Sequence, residues 1–242
     1  MGKDYGGSPA TPESNMQNET TKTHGFFITG TSTDVGKTYV TALIAKAMLA
    51  TGVRVGVYKP VASGCILRDG KLVSEDAEQL WLAAGKPQSL DEVTPQCFAA
   101  PLAPNVAART EQKSVDLSLL RTGFQQWSEY PTVLVEGVGG LMSPISDEDL
   151  VIDIAEEFAL PMIVVIANEL GCINQTLQTI EVAQSRKLPV AGLVMNCTSQ
   201  QADQSSTTNA AELARWTDVP ILSSVGWNES QIDLSCFPIT MT

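Results

Sequence analysis

Six short Val- and Ile-rich runs recur along the chain without the polar–apolar alternation of a half-exposed strand: Phe26–Thr29, Val53–Tyr58, Thr132–Glu136, Met162–Ala167, Val190–Asn196 and Pro220–Val225. Successive strand residues point to opposite faces, so a run that is apolar throughout must be covered on both. The stretches between the runs carry helical spacing, and no sequence repeat is visible. This pattern predicts a single-domain α/β fold, a doubly wound, mostly parallel sheet with helices on both faces.

The helices have recognisable starts and stops. Lys37–Ala50 places Val40, Leu43, Ile44, Ala47 and Met48 at i, i+3, i+4 spacing and stops near Gly52, and Glu75–Ala84 stops at Gly85. Ser114 is positioned to cap a helix running to about Ser128, and further helices are expected over Glu148–Ala159, Ile173–Arg186 and Thr208–Trp216. Lys86–Thr110, with prolines 87, 95, 101 and 104, reads as a long loop carrying binding residues. Residues up to about Thr23 are rich in Gly, Ser, Pro, Thr and Asn and nearly free of aliphatics, so burial cannot offset their ordering entropy. The expected organisation is a disordered tail over residues 1–24 and one domain over 25–242.

Composition narrows the chemistry. Acidic residues outnumber basic ones by 12 in 242 residues, and such a surface repels phosphate backbones and anionic lipid heads. A nucleic-acid or membrane partner is therefore not expected, and any phosphate must be held by a local site. No apolar run reaches the roughly 18 residues of a membrane span, and the N-terminus lacks a signal peptide's apolar stretch, so the chain reads as cytoplasmic. The single histidine, His24, lies before the first apolar run, which argues against imidazole acid–base catalysis and His-rich metal sites. Five cysteines at positions 65, 97, 172, 197 and 236, without a CxxC pair, read as reduced, mostly packed thiols.

Ligands of such sheets bind at the carboxyl ends of strands. After Phe26–Thr29 comes Gly30-Thr31-Ser32-Thr33-Asp34-Val35-Gly36-Lys37-Thr38, followed at once by an amphipathic helix. Strand, glycine loop and helix N-terminus form the context of a phosphate-binding P-loop. Backbone N–H groups and the helix N-terminus attract phosphate oxygens, Lys37 reaches the β- and γ-phosphates, and the Thr38 hydroxyl ligates Mg²⁺. The usual pattern demands Gly at position 31. Here the first glycine stands one residue early, so the loop is a variant of a P-loop NTPase-like fold.

Two further strand ends carry chemistry. Val133–Val135 runs into Glu136 and a flexible glycine loop, Gly137-Val138-Gly139-Gly140, so Glu136 is a candidate acceptor for Mg²⁺ or its water. Val55–Tyr58 runs into Lys59. Strands consecutive in sequence are commonly spatial neighbours, which would aim Lys59 at the phosphates held by Lys37; a merely solvated lysine is the other reading. Asp76, at a helix start, fits a metal ligand and a helix-dipole partner equally well, and Ser63 alone reads as a turn residue. Cys172, near a helix N-terminus, is more simply packed than reactive, and the clusters at 147–149 and 156–157 read as solvated carboxylates.

In combination these residues resemble the dethiobiotin synthetase family. The likeness is carried by the loop from Thr29 to Thr38, Tyr58-Lys59-Pro60-Val61-Ala62-Ser63-Gly64, Asp76-Ala77, the Phe98, Pro101 and Pro104 segment, Val135 to Gly140, Leu170 to Asn174 and Gly226-Trp227, in order along the chain. It implies ATP- and Mg²⁺-dependent carboxylation of 7,8-diaminopelargonate with CO₂ and closure of a ureido ring. By carry-over, Thr38, Asp76 and Glu136 hold Mg²⁺, and Lys37, Lys59 and Thr33 are catalytic. The resemblance likewise implies that Thr33, Ser63, Gly171, Cys172 and Asn174 bind substrate at a homodimer interface. It further implies a nucleotide bound by Asp34, Val35, Gly36, Lys37, Thr38, Tyr39, Asp76, Glu136, Gly137, Val138, Gly139, Asn196, Cys197, Gly226, Trp227 and Asn228. One departure stands out: Asn196-Cys197 replaces the Asn-Asp pair that commonly recognises the purine.

The alternatives are a switch-type P-loop ATPase and a catalytically degraded nucleotide-binding relative. The first calls for a signature lysine early in the loop, which this chain lacks; the second is disfavoured by retention of both lysines and all three metal-ligand candidates. An amidoligase of the cobyrinic-acid diamide type would need a glutaminase domain for which the chain has no room.

Overall fold

The computed structural model describes residues 24–201 and 204–239; the tail expected to be disordered lies outside them, apart from His24. Six parallel strands form one sheet: β1 (Gly25–Gly30), β2 (Val55–Tyr58), β5 (Thr132–Gly140), β6 (Met162–Ala167), β7 (Val190–Asn196) and β8 (Ile221–Val225), in the order β2-β5-β1-β6-β7-β8. A separate antiparallel hairpin is made by β3 (Ile66–Arg68) and β4 (Lys71–Val73). The helices are α1 (Lys37–Ala50), α2 (Glu75–Ala83), α3 (Leu90–Val93), α4 (Pro104–Thr110), α5 (Leu117–Gln125), α6 (Val151–Phe158), α7 (Cys172–Ser185) and α8 (Asn209–Trp216), with a 3₁₀ turn at Gln204–Thr207 before α8.

Both faces of the sheet are covered, as the unalternating strands require. Along β6, Ile163 and Val165 enter the larger apolar cluster, while Val164 and Ile166 enter a second one with Ile180 of α7, Leu193 and Met195 of β7 and Leu213 of α8. Each such side chain removed from water contributes about 1.5–3 kcal/mol. Strand β1 lies between β5 and β6, where the connections turn from one side of the sheet to the other, and its carboxyl end therefore opens into a crevice.

Several expectations are corrected. β2 does not neighbour β1, because β5 is inserted between them. The glycine-containing segment 137–140 continues β5, with Gly30 paired to Gly140 across a register shift. The stretch 86–110 holds α3, started by a reciprocal Ser89–Glu92 cap, and α4, with Pro104 at its first turn. Between them, Gln96–Ala100 is stitched to Ala62–Cys65 by backbone hydrogen bonds of 2.8–3.0 Å. Helix α5 is capped by Asp116, not Ser114.

Helix α6 starts at Val151, later than expected, because the Ser146 hydroxyl accepts from the N–H groups of Glu148 and Asp149 and holds those residues in a turn. The acidic clusters are partly paired: Asp149 and Glu157 with Arg121, and Glu156 with Arg186. Among the described residues no helix is long and apolar enough to cross a membrane.

Candidate active site

The loop between β1 and α1 is held by its glycines and by a neighbouring strand. A Cβ on Gly30 would stand 2.6 Å from Val35 Cγ2 and 3.2 Å from Lys37 Cδ, so the early first glycine is where the loop folds back on itself. Gly36 adopts φ 85°, a left-handed conformation that suits glycine, and a Cβ there would overlap Asn196 Nδ2. That amide donates to the Val35 carbonyl at 3.0 Å from a buried position at the end of β7. With glycine as its cap residue, α1 begins without a side-chain cap, leaving the N–H groups of its first turn to face an anion. Lys37 is buried and its Nζ donates to the Ser32 carbonyl at 2.9 Å, crossing the mouth of the loop. Burial holds its ammonium below the ordinary lysine value, and Lys59 lowers it further against the opposing effect of Glu136.

Beside this loop four side chains converge. Glu136 is fully buried on β5; its Oε1 accepts from Thr38 Oγ1 and from Lys59 Nζ, both at 2.7 Å. Lys59, buried at the end of β2, also donates to Asp76 Oδ2 at 2.7 Å, and Asp76 is half exposed in the first turn of α2. Burial alone would depress the Lys59 pKa; the attraction of Glu136 and Asp76 outweighs it and raises the value, so the lysine keeps its charge. Lys59 thus reaches the P-loop although β2 is not adjacent to β1, because β5 carries Glu136 into the gap. The reading of Lys59 as merely solvated is set aside by its burial.

Glu136 Oε2 is buried without a hydrogen-bond partner. An unpartnered carboxylate oxygen beside a hydroxyl and a second carboxylate is an all-oxygen donor set, which fits a hard divalent cation such as Mg²⁺. Thr38 and Glu136 are in direct contact, and Asp76 is joined to Glu136 through the Lys59 ammonium that both carboxylates accept.

The remaining residues divide into two groups. Toward the β7–β8 end, Cys197 donates its N–H to the Val225 carbonyl at 2.8 Å, its thiol lies 3.1 Å from the Ser199 carbonyl, and Gly226 N–H is bound by the Glu229 carboxylate at 2.5 Å. Trp227 is half exposed, Asn228 takes a left-handed φ of 56°, and the Tyr39 hydroxyl donates to the Glu229 carbonyl. Glu229, which ties α1 to this turn, has no strand-end or motif signal in the sequence.

On the other side, a cleft of about 660 Å³ is bounded by Thr31–Thr33, by Gly140–Pro144 and by Gln175, Gln178, Thr179 and Val182 of α7. Gly137 and Val138 lie on the β5 extension that leads into this wall, and Gly139, at φ 66°, packs against Ser143 there. Thr33 lines the cleft, whereas its α7 wall begins a residue beyond Asn174. Gly171 and Asn174 are exposed and Cys172 is buried. Ser63 is half-buried on the segment that follows Lys59. The glutamines of α7 fall within a predicted helix, but nothing in their spacing marks them as cleft residues.

A glycine loop running from the central strand of a parallel sheet into a helix N-terminus, with a lysine and hydroxyl on that helix and a buried carboxylate on the next strand, defines a P-loop nucleotide-binding protein. A family model described as an AAA domain matches residues 24–233. The chain is 44% identical over 212 residues to the ATP-dependent dethiobiotin synthetase BioD of Rhodopirellula baltica, covering 83% of each chain. It is 38% identical to that of Anaeromyxobacter dehalogenans, covering 84% of this chain and 90% of the relative, and 37% identical to that of Bacillus subtilis, covering 82% and 85%. Among solved structures, the cell division protein FtsY of Thermotoga maritima aligns with a TM-score of 0.49 at 14% identity, over 88% of this chain and 65% of that one. The chain belongs to the dethiobiotin synthetase family.

Proposed function

We propose that this chain is an ATP-dependent dethiobiotin synthetase, a ligase that forms carbon–nitrogen bonds as ATP is converted to ADP and phosphate. The observation that carries the reading is the meeting of Lys59, Glu136 and Thr38 at 2.7 Å beside the P-loop, in a chain up to 44% identical to enzymes of that name.

The substrates are 7,8-diaminopelargonate, CO₂ and ATP. One amine nitrogen of the diamine adds to CO₂ and gives up a proton, forming a carbamate. A carbamate oxygen attacks the γ-phosphorus and ADP leaves. The second amine then attacks the carbonyl carbon of the mixed anhydride, losing a proton as inorganic phosphate departs and the ureido ring closes.

Negative charge accumulates at each step, so the chain's task is positioning and charge stabilisation, not proton abstraction by an imidazole. Lys37, in the P-loop, spans the β- and γ-phosphates. Lys59, held charged and fixed by two carboxylates, faces the carbamate and the transferring phosphoryl group. Thr33 and Ser63 orient the diamine. Thr38, Asp76 and Glu136 would hold Mg²⁺, which neutralises phosphate charge when bound.

The Asn196 and Cys197 region, Tyr39 and the 226–228 turn form the nucleotide's outer wall. A homodimer, with Gly171, Cys172 and Asn174 of the second copy completing the substrate site, and a cytoplasmic location are part of the same proposal.

The test is phosphate release from purified protein with ATP, Mg²⁺ and bicarbonate, with and without the diamine, and mass spectrometry of the organic product. Diamine-dependent release with a product of dethiobiotin mass is expected. Hydrolysis indifferent to the diamine would shift the reading to a switch-type ATPase.

A further inference from the structure

The exposed turn between β6 and α7, residues 168–171, is short and has few internal bonds. Glu169 N–H reaches the Ala167 carbonyl at 2.9 Å, Cys172 N–H reaches Glu169 at 3.2 Å, and Gly171 takes φ 98°. Leu170 is 80% exposed, so packing of that side chain does not fix the turn. Further bonds to the turn come from the start of α8.

Asn209, buried at the first residue of α8, directs its side-chain Nδ2 at three oxygens: Asn168 Oδ1 at 2.9 Å, the Glu169 carbonyl at 3.2 Å and Ser205 Oγ at 3.3 Å. Asn168 in turn donates its Nδ2 to the Ser206 carbonyl at 3.2 Å, and its backbone N–H to the Asn196 carbonyl at 2.8 Å. The two amides are thus engaged head to tail, with the donors and acceptors of Asn168 both used. A buried amide so engaged is costly to disturb, because each lost partner leaves a polar group stranded away from water.

We propose that Asn209 is a positioning residue for the diamine substrate: through Asn168 and Glu169 it fixes the turn that presents Gly171, Cys172 and Asn174. This rests on the substrate role given to those residues above. Asn196 meets both places, accepting the Asn168 N–H at its backbone carbonyl and donating its side-chain amide to the Val35 carbonyl. Asn209 bonds the turn side of this link, at Asn168 and Glu169, so its replacement is expected to loosen the turn while the Asn196–Val35 bond stays in place.

The test uses the full chain and two variants. Asn209→Asp has nearly the same shape but turns a donor into an acceptor facing three oxygens; Asn209→Ser is shorter and keeps a donor. Hydrogen–deuterium exchange is read in peptides covering 168–172 and 31–38, and KM is read separately for the diamine and for ATP. Asn209→Asp is expected to speed exchange in 168–172 but not in 31–38, and to raise the diamine KM with the ATP KM unchanged, since displaced binding groups lose their alignment with the substrate. Asn209→Ser is expected to recover part of both.

Equal acceleration of exchange in both peptides with a parallel rise in both KM values would mark Asn209 as a general stabiliser and overturn the proposal. So would unchanged exchange and KM in Asn209→Asp. If the wild-type chain does not turn over the diamine, the functional reading fails on its own. Localised exchange at 168–172 would then still uphold the brace, and its absence would overturn it.

Discussion

Lys59 and Glu136 meet at 2.7 Å with neither side chain more than 7% exposed, although 77 residues separate them in the sequence. An ion pair so deeply buried is a poor source of net stability, since the desolvation of both charges offsets most of their attraction. Its retention beside a phosphate-binding loop therefore points to chemistry.

Replacing Lys59 by methionine tests this directly. Turnover is expected to fall by about 10² or more, as for removal of a preorganised charge in other enzymes, with nucleotide binding at the P-loop largely retained. Glu136 would be left as an unpaired buried charge, costing about 3–5 kcal/mol. The double variant Lys59→Met/Glu136→Gln should regain much of that stability and none of the activity. Steady-state phosphate release and thermal unfolding together check both halves; wild-type turnover in Lys59→Met would remove the lysine from the mechanism.

Glu136→Gln alone keeps the shape and loses the charge. The Mg²⁺ concentration for half-maximal turnover is expected to rise by about 10–100-fold, the usual effect of weakening a metal's surroundings. An Mg²⁺ titration of phosphate release decides it. An unchanged midpoint would confine Glu136 to pairing with Lys59.

Two glycines with nearly the same backbone angle separate strain from crowding. A Cβ on Gly52 (φ 86°) would meet nothing within 4 Å, whereas a Cβ on Gly36 (φ 85°) would overlap Asn196. Gly52→Ala should cost only the left-handed strain, about 1–2 kcal/mol, and leave nucleotide affinity alone. Gly36→Ala should carry the same strain and also displace the P-loop from Asn196, so that titration with a fluorescent nucleotide shows a clear loss of binding. Equal affinities in the two variants would argue that the Asn196 contact is incidental.

The acid limit of stability has one identifiable contributor in Asp153. Its carboxylate accepts the Leu150 N–H at 2.8 Å and pairs with Arg186 at 2.8 Å, and these hold its pKa below the ordinary 3.8. A depressed carboxylate contributes stability above its unfolded value and loses it as pH falls through the folded one. Asp153→Asn should therefore melt below wild type at neutral pH, with the gap closing under pH 3.8. A gap independent of pH would assign the difference to packing at the start of α6.

Much of this architecture is legible in the chain. Unalternating strands such as Met162–Ala167 announce a sheet covered on both sides, and the loop from Gly30 to Thr38 announces its ligand. Local pattern cannot supply strand order: the placement of β5 between β2 and β1 is a long-range choice, so sequence adjacency links Lys59 to the P-loop by a neighbour relation the fold does not have. Proline-rich 86–110 conceals two short helices because Pro104 serves as a helix start, and the glycines of 137–140 conceal a strand extension. Asn209 and Glu229 leave no trace, since a single amide or carboxylate gains meaning only from the distant backbone it meets.

The position of β5 also sets an order of events in the life of the chain. The phosphate loop is complete at Thr38, but its hydrogen-bonded carboxylate lies 98 residues later, on the strand that separates β2 from β1 in the finished sheet. A chain that paired β2 directly with β1, the shorter route, would keep the loop and lack the carboxylate. If nucleotide binds only the sheet that carries Glu136 beside the loop, nucleotide present during refolding should favour that sheet over its simpler competitor.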